Sequence, residues 1–465
     1  MANKPLTIGV PSSGIAPSPL VGFGDIRNID IFSTPGVAKL NNILANASTT
    51  AVTALVKWIV RDPVTTTKCY AVDSAGDVYV GTLSAGAWTF ADLASQPSDG
   101  GAGQGLAIWK DYLFCARATA IDLYGPLSGT PAWRNSWAGL TLTTDDTWHP
   151  MLVSELDDKI YIGAGRYIST VAEVTGQNFT WDTGGTYTAT AAALTLPEDF
   201  RVKCLAELGN NLMVGTWKGT TITDFKIATI FPWDGSSTTY GQPIIIKENG
   251  CNAMINIGGY LYILAGVDGK IYKSNGVQAW VIGQIPLSIA DTSNGKYIEP
   301  YPGAITEHKG RLFFGMSSSA TDDLELRDGV GVYSLMETAK GNILNFEHSI
   351  STLTMGSANP TIIGAILSVS RDKLLVGFRD NATYQIDSTN TASYLHTTTY
   401  TKAYFDSPLY QVGTHLGKRQ FTSLELQLAK ELATGEGVQI KFRINLTDSW
   451  TTINTYTTTN IGAGV

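Results

Sequence analysis

Seven stretches of about fifty residues, each reading as four short strands joined by tight turns, predict an all-β fold: a β-propeller of about seven four-stranded blades. Two markers carry the prediction. The first is the second strand of each unit, an apolar and aromatic run that follows a polar or glycine turn. Taking Tyr70, Leu113, Tyr161, Met213, Tyr262, Phe313 and Leu375 as its centres, the steps are 43, 48, 52, 49, 51 and 62 residues. The second marker is a series of tryptophans assigned to outer strands, Trp88, Trp133, Trp181, Trp233 and Trp280, spaced 45, 48, 52 and 47. Phe346 and Tyr394 are the nearest aromatic substitutes in the last two units.

The fifth unit, Asn252 to Trp280, shows the pattern most fully. Gly258-Gly259, Asp268-Gly269 and Asn275-Gly276 separate its strands, and such dipeptides suit two-residue hairpin loops because both central residues of the commonest type need φ > 0. The units before and after it begin near Val52, Leu106, Met151, Val202, Ala304 and Ile362. In the fourth, Gln242 to Lys247 supplies an extra strand. In the sixth, an insertion from Ser317 to Asp328 carries Asp322, Asp323, Glu325 and Arg327 and reads as a solvated acidic hairpin.

Residues 1–50 read as an extended N-terminal arm. Pro11, Pro17, Pro19 and Pro35 argue against a long helix, and Ile26, Ile29, Ile31 and Phe32 supply enough apolar surface for one docked strand. Residues 51–400 form the propeller, and residues 401–465 read as a small β-sandwich, incomplete by itself. There Phe421 to Leu428 and Val438 to Ile444 alternate as an antiparallel pair. The arm is expected to pack across a subunit boundary and the sandwich to be completed by a neighbour, because an unpaired strand edge is an aggregation hazard.

Composition narrows function. The formal charge is −8, with no run of Lys or Arg, which argues against specific nucleic-acid recognition. No stretch approaches the apolar length of a membrane span, and the first thirty residues lack the basic and apolar segments of an ordinary signal peptide. Cys69, Cys115, Cys204 and Cys251 fall singly in different strands and read as small buried residues. Asp73 to Asp77 is an acidic loop without the further oxygen ligands of a calcium site. The five histidines have no metal-ligand spacing, and no nucleophile elbow, zinc or nucleotide motif occurs. The expectation is a non-enzyme with no catalytic residue, metal or cofactor.

The segment Gly24 to Val37 (GDIRNIDIFSTPGV), the Leu-Tyr-Ile-Leu and Leu-Leu-Val-Gly strands, and Ser407 to Thr414 followed by Leu424 to Leu428 resemble propeller-containing tail proteins of bacteriophages, of the nozzle or tail-tip kind. The resemblance implies a structural virion protein, made in the host cytoplasm, homo-oligomeric and in contact with other tail proteins. A second reading is a carbohydrate-binding propeller or adhesin that meets a host surface glycan. Trp109, Trp148 and Trp217, which stand outside the outer-strand series, are its candidates for stacking on sugar rings. A glycosidase has less support, because neither a carboxylate pair nor an arginine cluster stands out.

Overall fold

The computed structural model describes residues 25–32, 39–94, 96, 101–143, 147–285, 297–319, 330–338, 341–350, 360–390, 404–406, 437–442, 449 and 451–457. The chain divides into two compact units, Met1–Leu409 and Tyr410–Val465. Among the described residues there is no helix.

The first unit is a seven-bladed β-propeller. Blade 1 consists of Val56–Arg61, Lys68–Asp73, Val78–Ser84 and Ala87–Asp92, paired antiparallel in chain order. Blades 2 to 5 repeat the arrangement, with first strands at Gly105–Trp109, Met151–Val153, Phe200–Leu208 and Cys251–Ile257. Blade 6 runs Ile305–His308, Arg311–Ser318, Gly331–Thr338 and Gly341–Ser349. Blade 7 takes three strands, Ile362–Ser370, Lys373–Asp380 and Thr383–Asn390, from the end of the ring. Its fourth is Ile43–Asn46, from near the N-terminus.

All seven sequence markers lie in second strands, and packing explains why. A second strand is covered on both faces by the neighbouring blades, so Tyr112–Ala116 is buried at every position and reads as an unbroken apolar run. An outer strand alternates instead, as Ala87–Asp92 does, with Trp88 and Phe90 inward and their neighbours outward. The buried apolar residues form seven clusters, one in each interface between neighbouring blades. The cluster of Val56, Phe90, Ala365, Leu375 and Ile386 joins blade 7 back to blade 1. At roughly 25 cal/mol per Å² of apolar surface removed from water, these seven seams are the main stabilising term of the ring.

In blade 5 Gly258 and Gly259 take φ of 60° and 80°, as a two-residue turn requires, whereas at Asp268-Gly269 and Asn275-Gly276 only the glycine has positive φ and the loops are longer than two residues. The tryptophan marker needs correction. Trp88, Trp133 and Trp280 sit in fourth strands, but Trp181 lies in the connection before the fourth strand of blade 3, Tyr187–Thr195. Trp233 ends the third strand of blade 4, whose fourth is Ile244–Ile246. Both rings still pack against the preceding blade, Trp181 at 5.3 Å from Tyr112 and Trp233 at 5.7 Å from Tyr161. Their period therefore records packing between blades rather than strand position. Tyr394 and the acidic residues of the blade 6 insertion lie outside the described residues.

The arm also differs from expectation. Residues 43–46 belong to the propeller, and the chain then runs beside blade 1, where Thr49 N–H donates to Phe90 O (2.7 Å) and Phe90 N–H donates to Ala47 O (2.7 Å). Upstream, Asp25–Arg27 extends blade 6 beyond its fourth strand, with Arg27 opposite Phe346, and pairs on its other side with Tyr404–Asp406. Asn28 then turns the chain at φ 57°, a left-handed value that Asn tolerates. Ile29 and Ile31 enter the cluster between blades 5 and 6. The residues expected to cross a subunit boundary thus dock on their own propeller, which offers both an open strand edge and an apolar seam to cover.

A buried polar network fixes this docking. Arg311 Nη1 lies 2.9 Å from Glu347 Oε1, Ser334 Oγ donates to the same oxygen (2.5 Å), and Asn41 Nδ2 donates to Glu347 Oε2 (2.8 Å). The Arg311 guanidinium also stacks over the Phe32 ring at 4.3 Å.

In the second unit the described strands are a hairpin, Gly437–Phe442 with Thr451–Thr457, paired from Gly437 opposite Thr457 to Phe442 opposite Thr451 with a register shift between Ile440 and Lys441. The predicted strand Val438 to Ile444 is thus present as far as Phe442, with residues 451–457 as its described partner. Phe421 to Leu428 lies outside the described residues.

Candidate functional site

Because each blade is antiparallel and its strands run in order, every first strand starts on the same face of the ring, nearest the axis. That face also carries the loops between second and third strands. Four first strands shift register near their start: between Val56 and Trp58, Val202 and Cys204, Cys251 and Ala253, and Ile363 and Ala365. A bulge leaves one residue out of the ladder and re-aims it. Here the residues are Lys57, Lys203, Asn252 and Gly364.

Two of them, Lys57 and Lys203, face one indole, and Asn252 binds Lys203. Lys57 Nζ lies 4.6 Å from the centre of the Trp148 ring and donates to Thr147 O (3.1 Å). Lys203 Nζ lies 6.0 Å from the same ring, donates to Asn252 Oδ1 (2.9 Å) and is 3.4 Å from Glu299 Oε2. The Tyr301 ring meets Trp148 edge-on at 5.2 Å, and Trp58 does so at 6.4 Å. Trp148 precedes blade 3, yet it touches side chains of blade 1, blade 4 and the connection into blade 6. Blades 1, 4 and 6 are not neighbours of one another, so a ring that touches all three lies on the propeller axis.

Spacing keeps this end of the axis narrow. A Cβ at Gly364 would fall 2.1 Å from Val56 O and one at Gly303 would fall 2.2 Å from Lys57 O, so the first strands approach closely there because these positions are glycine. Lys57 and Lys203 are buried, and their ammonium groups face the indole within cation–π range. Glu299 is the carboxylate that the described contacts bring to Lys203. Side chains of the chain itself thus occupy this end of the axis, with Glu299 the described counter-charge to Lys203.

The three candidate sugar-stacking tryptophans are not brought together. Trp109 is 2% exposed, enclosed by Phe179 at 5.0 Å and Phe114 at 5.9 Å in the seam between blades 2 and 3. A ring so enclosed presents no face to a sugar, and Trp148 is taken up by the axis, so both are corrected. Trp217 is half-buried near the end of a second strand, with the Arg201 guanidinium 5.9 Å from its ring.

The other polar groups on this face hold loops. Asp73 Oδ1 accepts from the N–H groups of Ala75, Gly76 and Asp77 (2.9–3.0 Å), and Oδ2 accepts from Tyr79 OH (2.9 Å). Burial raises the Asp73 carboxyl above its ordinary range against the opposing effect of those hydrogen bonds. The acidic loop considered for calcium therefore uses its first carboxylate to build its own turn. Arg117 ties that turn to blade 2 through Gly76 O (2.6 Å) and Asp122 (2.9 Å). His149 sits between two blades, its ring nitrogens against Ala118 O (2.7 Å) and Gly163 O (3.0 Å). On the opposite face His308, which ends the first strand of blade 6, faces Ser368 Oγ at 2.9 Å, and burial lowers its imidazole to about 4. Among the described residues no three His, Cys, Asp or Glu side chains gather as a metal site would require.

Reading the sequence for strands passes over Lys57, Lys203, Asn252, Glu299 and Tyr301. One signal was present: Lys203 and Asn252 both stand ten residues before their blade's marker, so the repeat puts them at equivalent places.

No family model matches the chain, and no curated protein matches it. Among solved structures it is similar to the β-propeller domain of Cps50 (Swd1) from Myceliophteria thermophila, at 11% identity over 76% of this chain and 99% of that one, with a TM-score of 0.46. It is also similar to the propeller of Dos1, at 10% identity over 75% and 94% with a TM-score of 0.45. YCF48 bound to D1 peptide aligns at 10% identity over 77% and 98%, also with a TM-score of 0.45. Identities and scores this low carry no function across. The strand order itself identifies the first unit as a seven-bladed β-propeller closed by its own N-terminal strand.

Proposed function

We propose that this chain is a non-enzymatic structural protein of a bacteriophage tail, assembling with copies of itself and with other tail proteins through its propeller and C-terminal unit. The observation that carries the reading is the filled axis. A propeller enzyme works from the mouth of its channel, and here one end of the axis holds Trp148, two lysines and the carboxylate that pairs with Lys203. The outer rim supports the same reading. Trp280 and Val281 on the fourth strand of blade 5 are 39% and 53% exposed, and Ile245 on that of blade 4 is 67% exposed. Among the described strands, Ala279–Gln284 pairs only with Lys270–Ser274, so its other edge is open for assembly to cover. The sequence resemblance to tail proteins supplies the virion setting. The glycan-binding alternative is left with Trp217.

The test is the mass of the full chain in solution at micromolar concentration, with Trp280→Ser/Val281→Lys as the comparison. An oligomer that the double substitution weakens is expected. A monomer that binds glycans through Trp217, or one that turns over glycosides and loses that turnover when one acidic residue is replaced, would overturn the proposal.

A further inference from the structure

Cys204 and Cys251 stand 47 residues apart, on the first strands of blades 4 and 5, and the fold brings their sulfurs to 3.6 Å. Both are buried and free. The Cys204 thiol also lies 3.5 Å from Cys251 O. Gly215, on the second strand of blade 4, has the space next to its Cα filled by the pair: a Cβ there would fall 2.5 Å from Cys204 Sγ and 2.8 Å from Cys251 Sγ. The sulfurs are thus in van der Waals contact across a seam, separated by more than the bonded distance of about 2.05 Å. Cys69 and Cys115 lie in the seams joining blade 1 to blades 7 and 2, so each has its own packing environment.

We propose that Cys204 and Cys251 are a cross-blade dithiol that a small peroxide converts to a disulfide, stapling the innermost strands of blades 4 and 5. In the first step one sulfur attacks the peroxide, the O–O bond breaks, and a sulfenic acid and water form. In the second, the other sulfur attacks the sulfenic sulfur, the S–O bond breaks and a second water leaves. Two thiols are oxidised by two electrons and the peroxide is reduced by two, with both thiol protons carried off in water. Burial, reinforced by the neighbouring Cys204, holds the Cys251 thiol well above its ordinary value. Little Cys251 thiolate is present at neutral pH, which makes its attack slow, and the two sulfurs stand as free thiols before oxidant is added. Once made, the bond constrains the unfolded chain over the intervening blade, so the ring melts at a higher temperature.

The experiment treats the full chain with hydrogen peroxide, then unfolds it in alkylating reagent and maps the peptides by mass. The expected product has lost two hydrogens, links the Cys204 and Cys251 peptides within one chain, and leaves Cys69 and Cys115 alkylated. Its melting temperature is a few degrees higher and returns to the starting value on reduction. Cys204→Ala and Cys251→Ser should each abolish the link; either variant serves if the other fails to fold. Four freely alkylated thiols after prolonged peroxide treatment, a bridge involving Cys69 or Cys115, or sulfinic acid at Cys204 with no bridge would overturn the proposal.

Discussion

Asp387 lies in the third strand of blade 7, opposite Asn46 of the closing strand, and is 7% exposed. Among the described residues its Oδ1 has no hydrogen-bond partner. Burial moves its carboxyl from 3.8 up to about 7. The folded chain therefore holds a proton that the unfolded chain has released between about pH 4 and about pH 7, and stability falls as pH rises through that window. At about 1.4 kcal/mol per pKa unit the loss is at most ~4 kcal/mol, complete above the folded value and absent below the unfolded one. Asp387→Asn keeps the shape and removes the charge. Denaturation of both proteins by urea should show a gain of about 2–4 kcal/mol for the variant near pH 8 and little difference near pH 4. A variant equally destabilised at both values would refute the reasoning, because it would mean that the ionised carboxylate makes an interaction the closure needs.

Other perturbations test the rest of the structure. Glu347→Gln leaves the buried Arg311 without its counter-charge and should cost about 3–5 kcal/mol, with faster amide exchange in residues 25–32. Trp148→Ala empties the axis and should cost about 3–5 kcal/mol in denaturant titrations while the far-ultraviolet spectrum keeps its β form; an unchanged midpoint would remove Trp148 from the axis. His308, lowered to about 4 by burial, stays neutral in the fold while the unfolded imidazole charges near its ordinary 6.5. Stability is therefore lost as pH falls from about 6.5 toward about 4, and a His308 resonance titrating near its ordinary value would contradict this.

How much the sequence revealed depended on how local each cause was. Second strands such as Tyr260–Ala265 are enclosed on both faces, so burial writes an apolar run that can be read without knowing the neighbours. Ile43–Asn46 is short and only half-buried, and its partner Thr383–Asn390 lies at the far end of the ring, so nothing local marks it as a blade strand. Trp181 and Trp233 kept the period because the seams recur, although the strands around them do not. The axis was least legible. Lys57, Lys203 and Asn252 reach it through one-residue bulges, and Trp148 is held by blades far apart in the chain, so Trp148 read as a spare aromatic when it is an axial plug.

Closure of the ring by the N-terminal strand is the claim on which the blade count, the axis and the docked arm all depend. Hydrogen exchange followed by mass spectrometry tests it directly on the full chain. Amides of residues 43–46 and 383–390 should exchange together, as slowly as the outer strands of other blades, and deleting residues 1–46 should release protection in 383–390 and along the blade 1 seam at Phe90. Residues 43–46 exchanging at the rate of a free chain, with residues 383–390 protected whether or not the N-terminal segment is present, would contradict the account.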